Sequence, residues 1–257
     1  MTEAPVLVDA SAAVWRVTLH RPQQGNACSA ELVRALDDAV ARAEAKGAEA
    51  LVLQGEGRHF CTGFDLSKLD DETDDTLLAR FVRIELLLQR IAHAPFLTIA
   101  LAQGRTMGAG ADLFAACGLR LAQADAAFAF PGARGFGLVL GTRRLAARVG
   151  TETALDWVES GRSVAADEAC RRGLVTSLVD GPHAIDAHSL ARWREDAQLR
   201  ASLRQAVDPH RADAAARDLD LLVRSAARPG LRERVAAYVA RVAAARRSSP
   251  PGPVRDA

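Results

Sequence analysis

Apolar and polar positions change period several times along the chain, and each change marks an element. Val6–Val8 and Val14–Leu19 are short apolar-rich runs, the second alternating as VWRVTLH, and both predict β-strands. AELVRALDDAVARAEAKG then repeats apolar residues at helical spacing, with Ser29 placed as the N-cap and Gly47 as the stop. Ala50–Leu53 (ALVL) has no polar position, the mark of a strand covered on both faces. A glycine-punctuated loop follows, GEGRHFCTGFDL, and then a helical pattern from about Asp75 to His93. FLTIALAQG predicts a strand from Phe96 to Gly104, and two more are expected at Leu119–Leu121 and Ala127–Phe130. PGARGFGLVLG reads as a glycine-rich loop. Helices over Thr142–Val149, Glu152–Glu159 and Ala166–Arg172 and a strand over Leu174–Val179 complete an order that predicts an α/β architecture.

Beyond about Pro182 the pattern shifts. From Ala187 to Arg247 the chain is rich in Ala, Arg, Leu and Asp at helical period, interrupted near Pro209 and Pro229, and predicts amphipathic helices. The final SSPPGPVRDA is expected to be disordered. These shifts divide the sequence into a core over 1–186, a helical region over 187–247 and a tail over 248–257.

Composition narrows the function classes. With 257 residues, 49% hydrophobic and 25% charged, the chain matches an ordinary globular protein. Its formal net charge of +1 offers no general attraction to nucleic acid or an anionic membrane, and aromatics at 5% leave no stacking surface for bases. No apolar run is long enough to span a bilayer, and the N-terminal pattern lacks the features of a signal peptide. The four cysteines, Cys28, Cys61, Cys117 and Cys170, are scattered without CxxC pairing, so neither structural zinc nor a disulfide framework is expected, and no metal is implied. The expectation is a cytoplasmic protein with free thiols.

The stretch GRTMGAGADLFAAC, Gly104 to Cys117, holds the densest candidate chemistry. Small residues followed by a helical run suit a phosphate loop, an oxyanion-binding helix N-terminus, or tight helix–sheet packing. The dinucleotide fingerprint fits poorly because a third glycine is missing, and no Gly-Lys-Ser/Thr triplet exists for a Walker loop.

Four segments, taken in order, resemble the crotonase (enoyl-CoA hydratase/isomerase) superfamily: HRPQQGNACSAEL, GRHFCTGFDL, AQGRTMGAGADLFAACGLRLA and ALDWVESGRSVAADEACRRGLVTSLV. The resemblance covers roughly Val14 to Val179. It implies a spiral of ββα units forming two sheets, with a C-terminal helical region that packs subunits into a homotrimer or a dimer of trimers. It also implies an acyl-CoA thioester as substrate, with coenzyme A entering as part of that substrate and no permanently bound cofactor. The thioester oxyanion would be held by two backbone N–H groups, which fall by position on Phe64 after Gly63 and on Ala109 between Gly108 and Gly110. Flanking glycines let the backbone approach a ligand, and the helix dipole favours negative charge there. Asp65 follows the first donor and holds its loop or borders the substrate.

The sequence then departs from the family pattern. Hydratases of this family use two glutamates on one water. The first corresponds to Asp112, shorter by one methylene, about 1.5 Å of reach. A displacement of about 1 Å can cost on the order of 100-fold in rate. The second, after Pro131, corresponds to Gly132, which has no acid or base. Asp112 is either a lone base or a carboxylate placed for the helix dipole, and its first-turn position is expected to favour the ionised form. Arg134 is a candidate electrophile or acyl-chain clamp, or a solvated loop arginine. His59 and Cys61 read as packing residues. The basic residue that many members carry after Arg-Pro is Gln23 here, leaving Arg21 and Lys68 as nearby cations for a coenzyme A phosphate. The expected activity is that of an enoyl-CoA hydratase/isomerase. The alternatives are thioester hydrolysis, decarboxylation or C–C cleavage on the same scaffold, or a catalytically weak acyl-CoA-binding protein.

Overall fold

The computed structural model describes residues 3–181, 202–203, 206–208 and 210–248. Among the described residues nine strands form two sheets. The larger has the order β1 (Val6–Asp9), β2 (Val14–Leu19), β3 (Ala50–Gly55), β4 (Leu97–Ala102), β6 (Leu119–Ala122), β9 (Ser177–Leu178). Its β1–β2 pair is antiparallel and every other pairing is parallel. The smaller sheet joins β5 (Arg105–Met107), β7 (Ala127–Ala129) and β8 (Val164–Ala165). β3 begins as an unbroken buried run and all of β4 is buried, because neighbours cover both faces; the absence of polar positions in ALVL anticipates this.

Between β2 and β3 runs α1 (Ala30–Ala45), started by Ser29, whose hydroxyl accepts from Leu32 N–H at 3.1 Å. α2 (Asp74–His93) is opened by reciprocal bonds between Thr73 and Thr76 and buries Leu77, Phe81, Ile84 and Leu88. Then come α3 (Ala109–Ala116), α4 (Gly132–Phe136), α5 (Thr142–Val149), α6 (Thr151–Ser160) and α7 (Ala166–Arg171).

Besides the unexpected two-residue strand β8, the structure differs from expectation in three places. PGARGFG is not all loop, because Gly132–Phe136 makes a short helix closed by Gly137 in the left-handed conformation. A three-residue strand, β5, lies inside the glycine-rich stretch and was too short to show a period. Only Ser177–Leu178 of Leu174–Val179 pairs in a sheet, while Leu174 and Val175 are buried ahead of it.

Beyond the core, the described residues include α8 (Arg211–Ala226) and α9 (Leu231–Ser248). The early part of the expected helical region and the tail beyond Ser248 lie outside the described residues. α8 packs on α2, and α9 packs on α2 and α4. Leu222, Ala226, Leu231 and Val235 enter the main hydrophobic core. Asp74, at the start of α2, caps α9 by accepting from the N–H groups of Gly230, Leu231 and Arg232 at 3.0, 3.1 and 2.7 Å. These bonds hold its carboxyl below the usual range. Among the described residues no helix is long and apolar enough to cross a membrane.

Candidate functional site

The loop after β3 is tied down from two sides. Asn26 is fully buried; its Nδ2 donates to the carbonyls of Glu56 and His59 at 2.9 and 2.7 Å, while its Oδ1 accepts from Arg21 N–H at 2.9 Å. Further along, Cys28 N–H donates to Gly63 O at 2.7 Å and Asp65 N–H donates to Cys28 O at 3.2 Å. This parallel bridge pairs Cys28 with Phe64 but uses the peptide groups on either side of Phe64. The N–H of Phe64 itself is left outside the pairing. The Phe64 ring stacks on Phe81 with centroids 4.5 Å apart, and the Arg80 guanidinium lies 4.1 Å from its centre.

The second loop meets the first. Met107 N–H donates to Cys61 O at 2.9 Å, and Gly108 N–H donates to Ala129 O at 2.8 Å. Gly108 adopts φ 50°, ψ −125°, a region that side chains disfavour, and turns β5 into α3. Ala109 is the first residue of α3, so its N–H has no partner within the helix. A Cβ on Gly63 would stand 2.8 Å from Met107 O, and one on Gly110 would overlap Cys61 O. The two loops therefore touch through glycines, which brings Phe64 and Ala109 to the wall of one cavity.

That cavity holds about 250 Å³. Gly63, Phe64, Gly108, Ala109, Asp112, Pro131 and Gly132 all line it. The sequence reading did not anticipate Thr142 at the start of α5, Phe136 on α4 or Tyr238 on α9. Tyr238 packs edge-on to Phe136 at 5.6 Å and fits only because Gly135 lies beneath its ring. It is the only tyrosine in the chain, a signal that was visible in the sequence but lay in a region read as helix packing.

Asp112 is the only carboxylate among the lining residues. It is 5% exposed, and its Oδ1 is buried with no hydrogen-bond partner among the described residues. The carboxyl lies against Gly141, where any Cβ would overlap Oδ1. Burial pushes its pKa well above the ordinary 3.8; buried Glu85 pushes the same way, and Arg144 pulls less strongly against them. The expected ionised form is thereby corrected. Asp112 does occupy the first turn of α3, but the dipole contribution of an N-terminus is smaller than the loss of hydration.

Gly132 begins α4 with ordinary backbone angles, and a Cβ there would meet nothing closer than 3.6 Å. Arg134 does not line the cavity; it donates to Glu159 O at 3.3 Å on the C-terminal turn of α6. Gly110 lies behind the wall, against Cys61. Asp65 accepts from Arg21 Nη1 and from Ser67 N–H at 2.7 and 3.0 Å. It opens instead on a separate cleft that also contains Arg21, Lys68 and Arg80. His59 Nδ1 accepts from Arg105 N–H at 3.1 Å, and burial together with Arg105 and Arg58 lowers its pKa, as suits a neutral structural ring. Cys61 is fully buried with its sulfur 3.6 Å from that of Cys28, which gives it no access to substrate. Among the described residues no group of three or more His, Cys, Asp or Glu side chains converges for a metal.

Comparison with known proteins gives the same direction. The family model Enoyl-CoA hydratase/isomerase matches residues 9–241. A relative from Bacillus subtilis (strain 168), named a probable enoyl-CoA hydratase, is 33% identical over 183 residues, covering 68% of this chain and 69% of its own length. A crystal structure from Bordetella parapertussis, assigned as an enoyl-CoA hydratase/isomerase, superposes with a TM-score of 0.86 at 44% identity, covering 93% of this chain and 99% of that one. An enoyl-CoA hydratase/isomerase from Xanthobacter autotrophicus Py2 gives 0.77 at 27% identity, covering 93% and 99%. With its two abutting glycine loops, its parallel sheet and these relatives, the chain belongs to the enoyl-CoA hydratase/isomerase family and has the crotonase fold.

Proposed function

We propose that this protein transforms acyl-CoA thioesters by holding the thioester oxygen between the N–H groups of Phe64 and Ala109, with Asp112 as the proton-carrying group. The observation that carries the reading is the meeting of the two loops. Phe64 and Ala109, whose N–H groups have no partner inside their own elements, line one largely apolar cavity, and among the described residues the only carboxylate on its wall is Asp112. Such preorganised donors act where water is displaced and need no reorganisation as charge develops. The leading reaction is hydratase/isomerase chemistry on an enoyl thioester: water bonds to the β-carbon as the π electrons move to the thioester oxygen as an enolate, protonated Asp112 delivers its proton to the α-carbon, and the surplus proton of the added water passes to the Asp112 carboxylate so formed.

One observation favours a second reading. Gly132 offers no second acid or base, and burial biases Asp112 toward its acid form. Decarboxylation of a 2-carboxyacyl thioester needs only an oxyanion site and one proton: the C–C bond breaks to release CO2, the electron pair becomes the enolate, and the Asp112 proton quenches it at carbon. Solvent then returns the proton to Asp112. The cleft holding Arg21, Lys68 and Arg80 also carries Glu3, Glu31, Asp38, Asp65 and Glu72, and Arg21 and Arg80 are paired with Asp65 and Glu72, so a coenzyme A phosphate there would rely on Lys68 and Arg34. The half-exposed side chains of Leu155 and Leu221 border one groove beside α5, α6 and α8, which supports association of copies as a trimer or dimer of trimers. Light scattering on the purified protein tests that assembly.

The test of the activity is mass spectrometry of products from crotonyl-CoA and from a 2-carboxyacyl-CoA, with wild type and Asp112→Asn. Addition of one water by wild type alone supports hydration. Loss of CO2 by wild type alone supports the second reading. Turnover of neither, with thioester binding retained, overturns both.

A further inference from the structure

α3, which carries Asp112, packs against α2 and α5. Those helices bring together two buried charges, Glu85 from α2 and Arg144 from α5. The guanidinium forks onto the carboxylate, Nη1 donating to Oε1 at 2.9 Å and Nη2 donating to Oε2. Nη1 also reaches Asp218 Oδ2 on α8 at 3.1 Å, and Arg143 Nη2 donates to the same oxygen at 2.8 Å. Gln89 donates to Glu85 Oε1 at 2.8 Å. In this otherwise well-bonded cluster two buried atoms have no partner among the described residues: a donor, Arg144 Nε–H, and an acceptor, Asp112 Oδ1. Native structures leave few such atoms, and a leftover donor and acceptor around one charge cluster call for an explanation.

We propose that Glu85 and Arg144 are positioning residues for the proton on Asp112. The fork holds the arginine charge on Glu85, so that Arg144 does not ionise the buried carboxyl beside it. A buried carboxyl next to an uncompensated guanidinium would give up its proton, whereas one next to a neutralised pair stays an acid. The free Nε–H and the free Oδ1 are the atoms through which Arg144 would engage Asp112 once Glu85 lost its charge. The other elements packed on α3 add little: β4 carries no charged side chain, and β5 contributes only Arg105, which is exposed at the cavity rim. This inference rests on the proposed role of Asp112, but its test does not require turnover.

Wild type, Glu85→Gln and Asp218→Asn would be labelled with carboxyl-13C aspartate. The Asp112 signal is the one missing from Asp112→Asn, and its titration is followed by NMR. Glu85→Gln keeps the side-chain size and leaves Arg144 its contact with Asp218, so the guanidinium is not stranded. The expected result is a fall in the Asp112 midpoint of about one pH unit or more. Asp218→Asn is expected to move it in the same direction by a smaller amount, about 0.3 unit, because Arg144 keeps its fork to Glu85. If thioesters are turned over, the acid-form limb of the pH–rate profile moves with the midpoint. A folded Glu85→Gln whose midpoint is unchanged or raised overturns the proposal. If that variant does not fold, an unmoved midpoint in Asp218→Asn does so instead. A shifted midpoint without thioester turnover by wild type removes the proposed function and leaves this control of the proton standing.

Discussion

At Phe64 and Ala109 the candidate reacting groups are main-chain N–H groups, aimed by a parallel bridge, a helix start and a run of glycines. At Asp112 the group is a side chain whose pKa is raised by burial, with Arg144 and Glu85 from two other helices acting on it in opposite directions. The first arrangement is local in sequence and indifferent to most side chains. The second depends on one carboxyl, on the glycine that makes room for it and on a distant ion pair. The loops can therefore keep their geometry while the side chains around them change. Here they stand next to an aspartate, Asp112, and a glycine, Gly132.

The comparison can be broken first on the main-chain side. Gly110→Val drives a branched side chain into the Cys61 carbonyl and separates the loops. Thioester turnover should fall by about 10²–10³-fold, the cost of losing one preorganised donor. Steady-state kinetics beside a circular-dichroism check of folding would show it. A catalytic change without such a loss would mean that the loops need not touch.

The carboxylate side can be sharpened by adding what is missing. Gly132→Glu meets no close contact at its Cβ and restores a second acid at the cavity wall. Hydration of crotonyl-CoA should rise by about tenfold or more, at the low end of general acid–base contributions. No gain with an intact fold would point away from hydration.

A smaller effect concerns stability. The Asp112 pKa is raised in the folded state, so the folded protein binds the proton more tightly than the unfolded chain. Its contribution is fully retained below the ordinary value of 3.8 and is lost as pH rises from there to the raised pKa. Asp112→Asn should thus match wild type near pH 3.5 and become the more stable of the two as pH increases. The gain is about 1.4 kcal/mol for each unit of upward shift, read from urea unfolding across pH. A constant difference would mean that the fold leaves the Asp112 pKa where it stands in the unfolded chain.

The smallest expected change is at Asp74→Asn, where the cap of α9 loses its charge but keeps an oxygen. The thermal midpoint should drop slightly at neutral pH, and the difference should vanish as pH falls below the ordinary aspartate range, since the Asp74 pKa is lowered in the fold.

Much of this was legible before the structure. ALVL announced a covered strand, FLTIALAQG a strand, and Ser29 sits where a helix start needs an oxygen. The two glycine loops were readable because close backbone contact leaves few alternatives to glycine. What stayed hidden depends on long-range packing. Glu85 and Arg144 are 59 positions apart and each looks like the polar face of an amphipathic helix. The acid form of Asp112 follows from burial, which a first-turn aspartate does not reveal. Arg134 offered a charge next to Pro131, but its guanidinium is used on α6.

The Asp74 cap has a consequence for the order in which the molecule is made. It joins residues 156 to 158 positions apart, and α9, which it starts, carries Tyr238 to the cavity. On the ribosome both glycine loops and Asp112 emerge well before Tyr238, the one lining residue of the cavity that α9 supplies. The cavity wall formed by the described residues is therefore complete only after synthesis has passed Tyr238.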